Sequence, residues 1–119
     1  MKTSDAMRRA DELGLPDLQG GFIQEYSGDW NGEKPPCCAI GGAAVVTHGV
    51  ELDEEGWLKN RSIYATPETS DWERIAHRDE SSCPVCTKYG GSISTSIICL
   101  YDNHLWSRTR IADWLDTIL

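Results

Sequence analysis

Four side chains that bind metals, Cys83, Cys86, Cys99 and His104, stand at the spacing C-x2-C-x12-C-x4-H in the last third of the chain. A Cys-Pro-Val-Cys turn holds two thiolates one tight bend apart, where they can share one ion. Tetrahedral zinc then needs two more donors from a separate element, and Cys99 with His104 supplies them at a familiar separation. The expectation is a structural zinc site that pins residues 83–119 together. Two rivals share these residues. The Cys83–Cys86 pair could be a redox couple, but such a couple opens a helix after a strand, and Lys88-Tyr89-Gly90-Gly91 is not a helical start. His77 lies six residues before Cys83 and could replace His104, although the charged Arg78-Asp79-Glu80 between them points to an exposed approach.

The cysteine count supports metal over disulfides. Five is odd, and Met1-Lys2-Thr3-Ser4-Asp5 lacks the apolar stretch of a secretion signal, so a reducing cytoplasm is the expected address. The uncharged run Ser92–Tyr101 is too short and too polar to span a bilayer, so no membrane role is expected. A length of 119 residues is that of one domain, 1–119, in which a metal clip adds noticeably to a modest core.

Charge narrows the partners. The net charge is −8, of which residues 1–60 carry −6 (five Lys/Arg against eleven Asp/Glu) and residues 61–119 carry −2 (six against eight). Nucleic-acid backbones are bound through Lys and Arg, and no basic run is present, so a zinc-finger-like nucleic-acid module is disfavoured. An acidic surface serves solubility, or docking to a protein with a basic surface.

Hydrophobic spacing gives the elements. Ser4–Gly14 reads as a short amphipathic helix, with Ala6, Met7, Ala10 and Leu13 on one face and Gly14 and Pro16 as the stop. Residues 20–34 read as an irregular loop anchored by Phe22, Tyr26 and Trp30. Pro35–Val46 reads as a buried helix with Pro in its first turn and Gly49 beyond its end. Its internal Gly41 and Gly42 each cost about 1 kcal/mol relative to Ala, which points to a backbone packed closely against them. Residues 47–65 admit one or two short strands. Ser70-Asp71-Trp72-Glu73 has capping-box spacing and predicts a short helix through Ala76. Over Ser92–His104 strand and helix periods compete, with helix favoured in the second half. The final helix is the clearest, with Ser107 as cap, Trp106 and Ile111 as staple, and Ile111, Trp114, Leu115 and Ile118 as one stripe. The fold class expected is α+β, mainly helical with few short strands, and compact, with the zinc knuckle packed on the C-terminal helices.

The stretch Cys99-Leu100-Tyr101-Asp102-Asn103-His104-Leu105-Trp106-Ser107-Arg108 with Ile111-Ala112-Asp113-Trp114 resembles the C-terminal signature of small phage and prophage proteins. In that family His-Leu-Asn-Asp precedes a second His, Trp-Ser-Arg and Ile-Ala-Asp-Trp. A CPxC knuckle and a Cys-Ala-Leu-Gly-Ala-Ala-like helix, matched here by Cys38–Ala43, extend the resemblance over about half the chain. The family's first His falls on Cys99, which exchanges one zinc ligand for another. Asp102 and Asn103 do not match position by position. The resemblance implies an architecture and a phage-related origin, and no reaction.

Two residues outside the knuckle bear on function. Cys38 stands at a helix N-terminus, where thiol pKa values fall, and with His48, His77 or His104 it would make a cysteine hydrolase or transferase. No oxyanion-hole or substrate motif accompanies it, and a small buried hydrophobe is the plainer account. Arg108 and Arg110 sit in the first turn of the last helix, against its dipole, which invites an acidic partner unless Arg110 pairs with Asp113. The function expected is therefore a zinc-stabilised accessory protein acting through protein binding, with the Cys38 enzyme as alternative.

Overall fold

A computed structural model describes residues 1–64 and 66–119, apart from the side chains of Arg61 and Ser62. Four α-helices carry the architecture: α1 (Thr3–Glu12), α2 (Ala39–His48), α3 (Ile93–His104) and α4 (Arg108–Ile118). Between them run 3-10 turns at Ser27–Asp29 and Arg61–Tyr64 and a π-turn at Arg74–Arg78. Among the described residues, extended pairing is confined to single bridges, among them Ile23 with Cys37, Tyr26 with Trp57, Leu52 with Leu58 and Ser82 with Tyr89. The fold is thus mainly helical α+β. The strand reading over 47–65 is met only by those bridges, and its last residue, Ala65, lies outside the described residues.

The chain's two ends close on each other. Helix α1 packs against both α2 and α4. Ala6 and Met7 of α1 join Ile111, Ala112 and Leu115 of α4 in an apolar cluster that also holds Ile75, Cys83, Ile93, Ile97, Leu100 and Tyr101. A second cluster gathers Ala10, Ile23, Cys37, Ala44, Leu58 and Ile63, and Phe22 and Val46 pack against both. Polar bonds reinforce the α1–α4 contact: Ser4 donates to Asp116 (2.7 Å), and Arg8 reaches Asp113 (2.9 Å) and Asp116 (2.5 Å).

Helix caps come partly from afar. Residues Ser4 and Asp5 do not cap α1; its first amide, Thr3 N–H, donates to Asp71 Oδ1 at 2.9 Å. The capping box expected at Ser70–Glu73 is absent for the same reason. Ser70 donates to the Met1 carbonyl, Asp71 is turned to α1, and Asp79 N–H bonds the Arg74 carbonyl in a π rather than an α closure. Pro35 and Pro36 precede α2 instead of entering its first turn. The helix begins at Ala39, because the Cys37 and Cys38 amides are bonded to the carbonyls of Pro16 and Phe22. Helix α3 is continuous from Ile93, capped by Ser92 Oγ accepting from Thr95 N–H. Its alternating Ile93, Ile97 and Tyr101 are spaced one turn apart and enter the core together.

The glycines of α2 answer to close packing. A Cβ at Gly41 would fall on the Phe22 carbonyl, and one at Gly42 would lie 2.9 Å from Arg108 Nε and 3.0 Å from the Ala10 Cβ. In an exposed helix Gly→Ala gains about 1 kcal/mol. Here Gly41→Ala is expected to lose about 1–3 kcal/mol by overpacking, measured by urea unfolding. A stabilised Gly41→Ala protein would contradict this packing.

Candidate metal centre

The knuckle is a tight hairpin that leads into α3. Ser82 bridges Tyr89, Cys83 N–H donates to the Lys88 carbonyl (2.9 Å), and Thr87 N–H donates to the Cys83 carbonyl (2.8 Å). Thr87 turns the chain in the left-handed region, at φ 61°. This geometry aims the amides of Val85 and Cys86 at the Cys83 sulfur. Ser81 and Ser96 share a hydroxyl bond (2.5 Å) that fastens the hairpin to α3.

Helix α3 supplies the other two donors from its last turns. Cys99 lies five residues before His104, the final residue of the helix, and Leu105 then reverses the chain at φ 57°. The Trp106 amide closes the turn on the Leu100 carbonyl at 3.1 Å. Within this corner the sulfurs of Cys86 and Cys99 are 3.7 Å apart, and Cys99 Sγ is 3.7 Å from His104 Nε2. All four ligand atoms of Cys83, Cys86, Cys99 and His104 lie within 4.8 Å of one another. Zn–S bonds of about 2.3 Å and Zn–N bonds of about 2.0 Å place tetrahedral donors about 3.6–3.8 Å apart, so the two short edges have the required length.

Electrostatics agree with shared occupancy. Burial pushes the Cys83 thiol up, but the Cys86 and Val85 amides and the thiols of Cys86 and Cys99 outweigh it and hold Cys83 below an ordinary cysteine. Asn103 Nδ2 donates to Cys99 Sγ (3.5 Å) and pulls that thiol down, yet burial and the two neighbouring sulfurs leave it raised. Crowded thiols of this kind repel one another as anions unless a cation sits among them. Four protein donors leave no open position, so the group can hold a metal but offers no site for a reactive water.

The remaining expected residues are placed elsewhere. His77 is exposed in the π-turn and is not part of the donor group. His48 ends α2, with Nε2 2.6 Å from the Thr66 carbonyl and Nδ1 3.8 Å from Glu68. Cys38 is the N-cap of α2, and its sulfur accepts from Gly41 N–H at 3.2 Å. Burial nonetheless raises its pKa, and burial likewise pushes Cys37 up to about 11. Cys38 is therefore expected to react with iodoacetamide more slowly than a free cysteine peptide near pH 7. Rapid selective labelling of Cys38 in folded protein would restore the enzyme alternative.

Arg108 does not await an anion. Arg108 is 1% exposed and donates to Asp11 Oδ1 (3.0 Å) and to the carbonyls of Leu15 (2.9 Å), Pro16 (2.8 Å) and Cys37 (2.7 Å). The guanidinium of Arg110 lies over the Trp106 ring, 3.9 Å from its centroid. Asp113, the expected partner of Arg110, instead pairs with Arg8. Sequence spacing had not singled out Asp11, whose second oxygen caps α4 by accepting from Thr109 N–H (2.9 Å) and Oγ1 (2.6 Å). Nor had it singled out Asn103; its place four residues after a ligand on one helix was the available signal.

No family model matches the chain, and no curated protein or solved structure matches it. Among the described residues, no helix is long and apolar enough to cross a membrane.

Proposed function

We propose that the chain is a zinc-stabilised accessory protein, of the phage-related kind its C-terminal signature resembles, that acts by binding another protein in the host cytoplasm. The carrying observation is the closed donor group of Cys83, Cys86, Cys99 and His104, drawn from a hairpin and a helix end with two edges of 3.7 Å. A closed site of this kind contributes folding energy and shape. What it shapes supports a binding role. Val85, Ile98 and Leu105, each adjacent in sequence to a ligand, are 48%, 50% and 72% exposed and offer apolar side chains to a partner. The net charge of −8 favours a partner with a basic surface over nucleic acid.

Metal analysis of gently purified protein tests the site. One zinc per chain is expected, retained in Cys99→His because imidazole is also a ligand, and lost or held far more weakly in Cys99→Ala. His104→Ala should lose it and His77→Ala should keep it. A metal-free wild type, or loss of zinc on His77→Ala alone, overturns the ligand set. The binding role is tested by affinity capture from a host lysate, followed by rebinding of the captured protein in purified form. Leu105→Asp or Val85→Asp should weaken that rebinding by about tenfold or more. Failure to isolate a stoichiometric partner counts against the role.

A further inference from the structure

A cavity of about 440 Å³ opens between the N-terminus of α2 and α3. Its walls are apolar and aromatic, with Phe22, Tyr64 and Trp72 facing Ile97 and Ile98. The Phe22 and Tyr64 rings sit 5.5 Å apart at 39°. Pockets of about 300–1,000 Å³ lined in this way hold drug-sized or side-chain-sized apolar groups. Ile98, half exposed, forms its rim.

Among the described residues, one charge faces this space. Asp102 lines the cavity, and its Oδ1 accepts from the Gly20 amide at 3.2 Å. No lysine, arginine or histidine is among the described lining residues, and among the described residues no ion pair engages Asp102. The other titratable walls are the Cys38 thiol and the Tyr64 and Tyr101 phenols, which bring no positive charge. A carboxylate beside low-dielectric walls focuses a negative potential into the cavity and disfavours anions. An aromatic ring fits the apolar part, and a cation fits the end at Asp102.

We infer that this cavity receives an aromatic side chain of a partner protein flanked by lysine or arginine, with the ring against Trp72 and Ile98 and the cation at Asp102. The inference deepens the protein-binding reading and rests on it. A free aromatic amine shares the same chemistry, so the test includes one.

The probes are two blocked pentapeptides, Gly-Lys-Trp-Lys-Gly and Gly-Glu-Trp-Glu-Gly, and tryptamine, titrated into zinc-loaded full-length protein labelled with 15N. The basic peptide should shift the amides of Gly20, Ile97 and Ile98 and bind about tenfold or more tightly than the acidic one. Asp102→Asn should cut that ratio below about threefold, whereas Glu54→Gln, which removes one exposed charge outside the cavity, should leave it intact. Trp72→Ala should abolish binding of both peptides. Because Trp72 also packs on the core, Ile98→Lys at the rim provides a second variant, expected to weaken the basic peptide by about tenfold while leaving the melting temperature in place. Equal affinities for the two peptides, equal effects of Asp102→Asn and Glu54→Gln, or shifts confined to other residues would overturn the inference. Saturation by tryptamine without peptide binding would also overturn it, in favour of a free amine. A captured partner that rebinds Asp102→Asn and Ile98→Lys undiminished would sink the cavity while leaving the protein-binding reading standing.

Discussion

Arg108→Ala is expected to lower the unfolding free energy by about 3–5 kcal/mol, the cost of breaking a buried charge network from one side. The guanidinium is the junction at which α1, the Leu15–Pro16 turn, the Cys37–Cys38 entry to α2 and the start of α4 meet. Its removal leaves four backbone carbonyls, those of Leu15, Pro16, Cys37 and Cys38, without this donor and deprives Asp11 Oδ1 of its charged partner. It also vacates space beside Gly42. Arg108→Lys should recover only part of the loss, because an ammonium cannot present two parallel pairs of N–H groups to separate carbonyls. Urea unfolding followed by far-ultraviolet circular dichroism measures both. A loss below about 1 kcal/mol for Arg108→Ala would mean that the network contributes little beyond packing.

Chelation of the zinc proposed at Cys83, Cys86, Cys99 and His104 is the second large effect. Structural sites of this type bind with about 10–16 kcal/mol of apparent free energy in isolated peptides, most of it spent on ordering the chain. Here α1 packs directly on α2 and α4, contacts that do not pass through the hairpin, so the loss should be local first. Residues 81–91 and the last turns of α3 should lose amide-exchange protection, while α1 and α4 keep theirs. Cys83→Ser should lower the melting temperature by about 10–20 °C, corresponding to a few kcal/mol in a domain of this size. Cys83 is also buried in the main apolar cluster with Ile93, Ile97 and Leu100, so loosening should spread from the hairpin into α3. Protection unchanged by a strong chelator would show that the hairpin's own hydrogen bonds suffice.

The donor group and α4 were legible in the sequence because each rests on short-range spacing. Ser107 accepts from Arg110 N–H at 3.1 Å, and Ile111 and Leu115 are buried, as the cap and stripe require. Ile118, the last residue of that stripe, is instead 40% exposed, while Leu119 beyond the helix end packs against the core. The close approach at Gly41 and Gly42 was also readable, from the cost of placing glycine inside a helix. What spacing does not carry is a bond made across the chain. Asp71 caps a helix that starts sixty-eight residues earlier, and a local reading assigned its segment to a capping box of its own. Arg108 showed its importance only as a conflict, a positive charge at a helix start. The conflict marked a compensated site correctly, but the compensation came from Asp11 and four carbonyls rather than from a ligand.

The packing of α1 on α4 bears on how the molecule is made. In synthesis from the N-terminus, the apolar face of Ala6, Met7 and Ala10 emerges with α2, its partner in the native fold, well before Ile111, Ala112 and Leu115. The hairpin of residues 81–91 and the donors on α3 lie before that point. Metal capture can therefore precede closure of the core, and a nascent chain already clipped at Cys83 and Cys99 would present α4 with a formed surface to dock on.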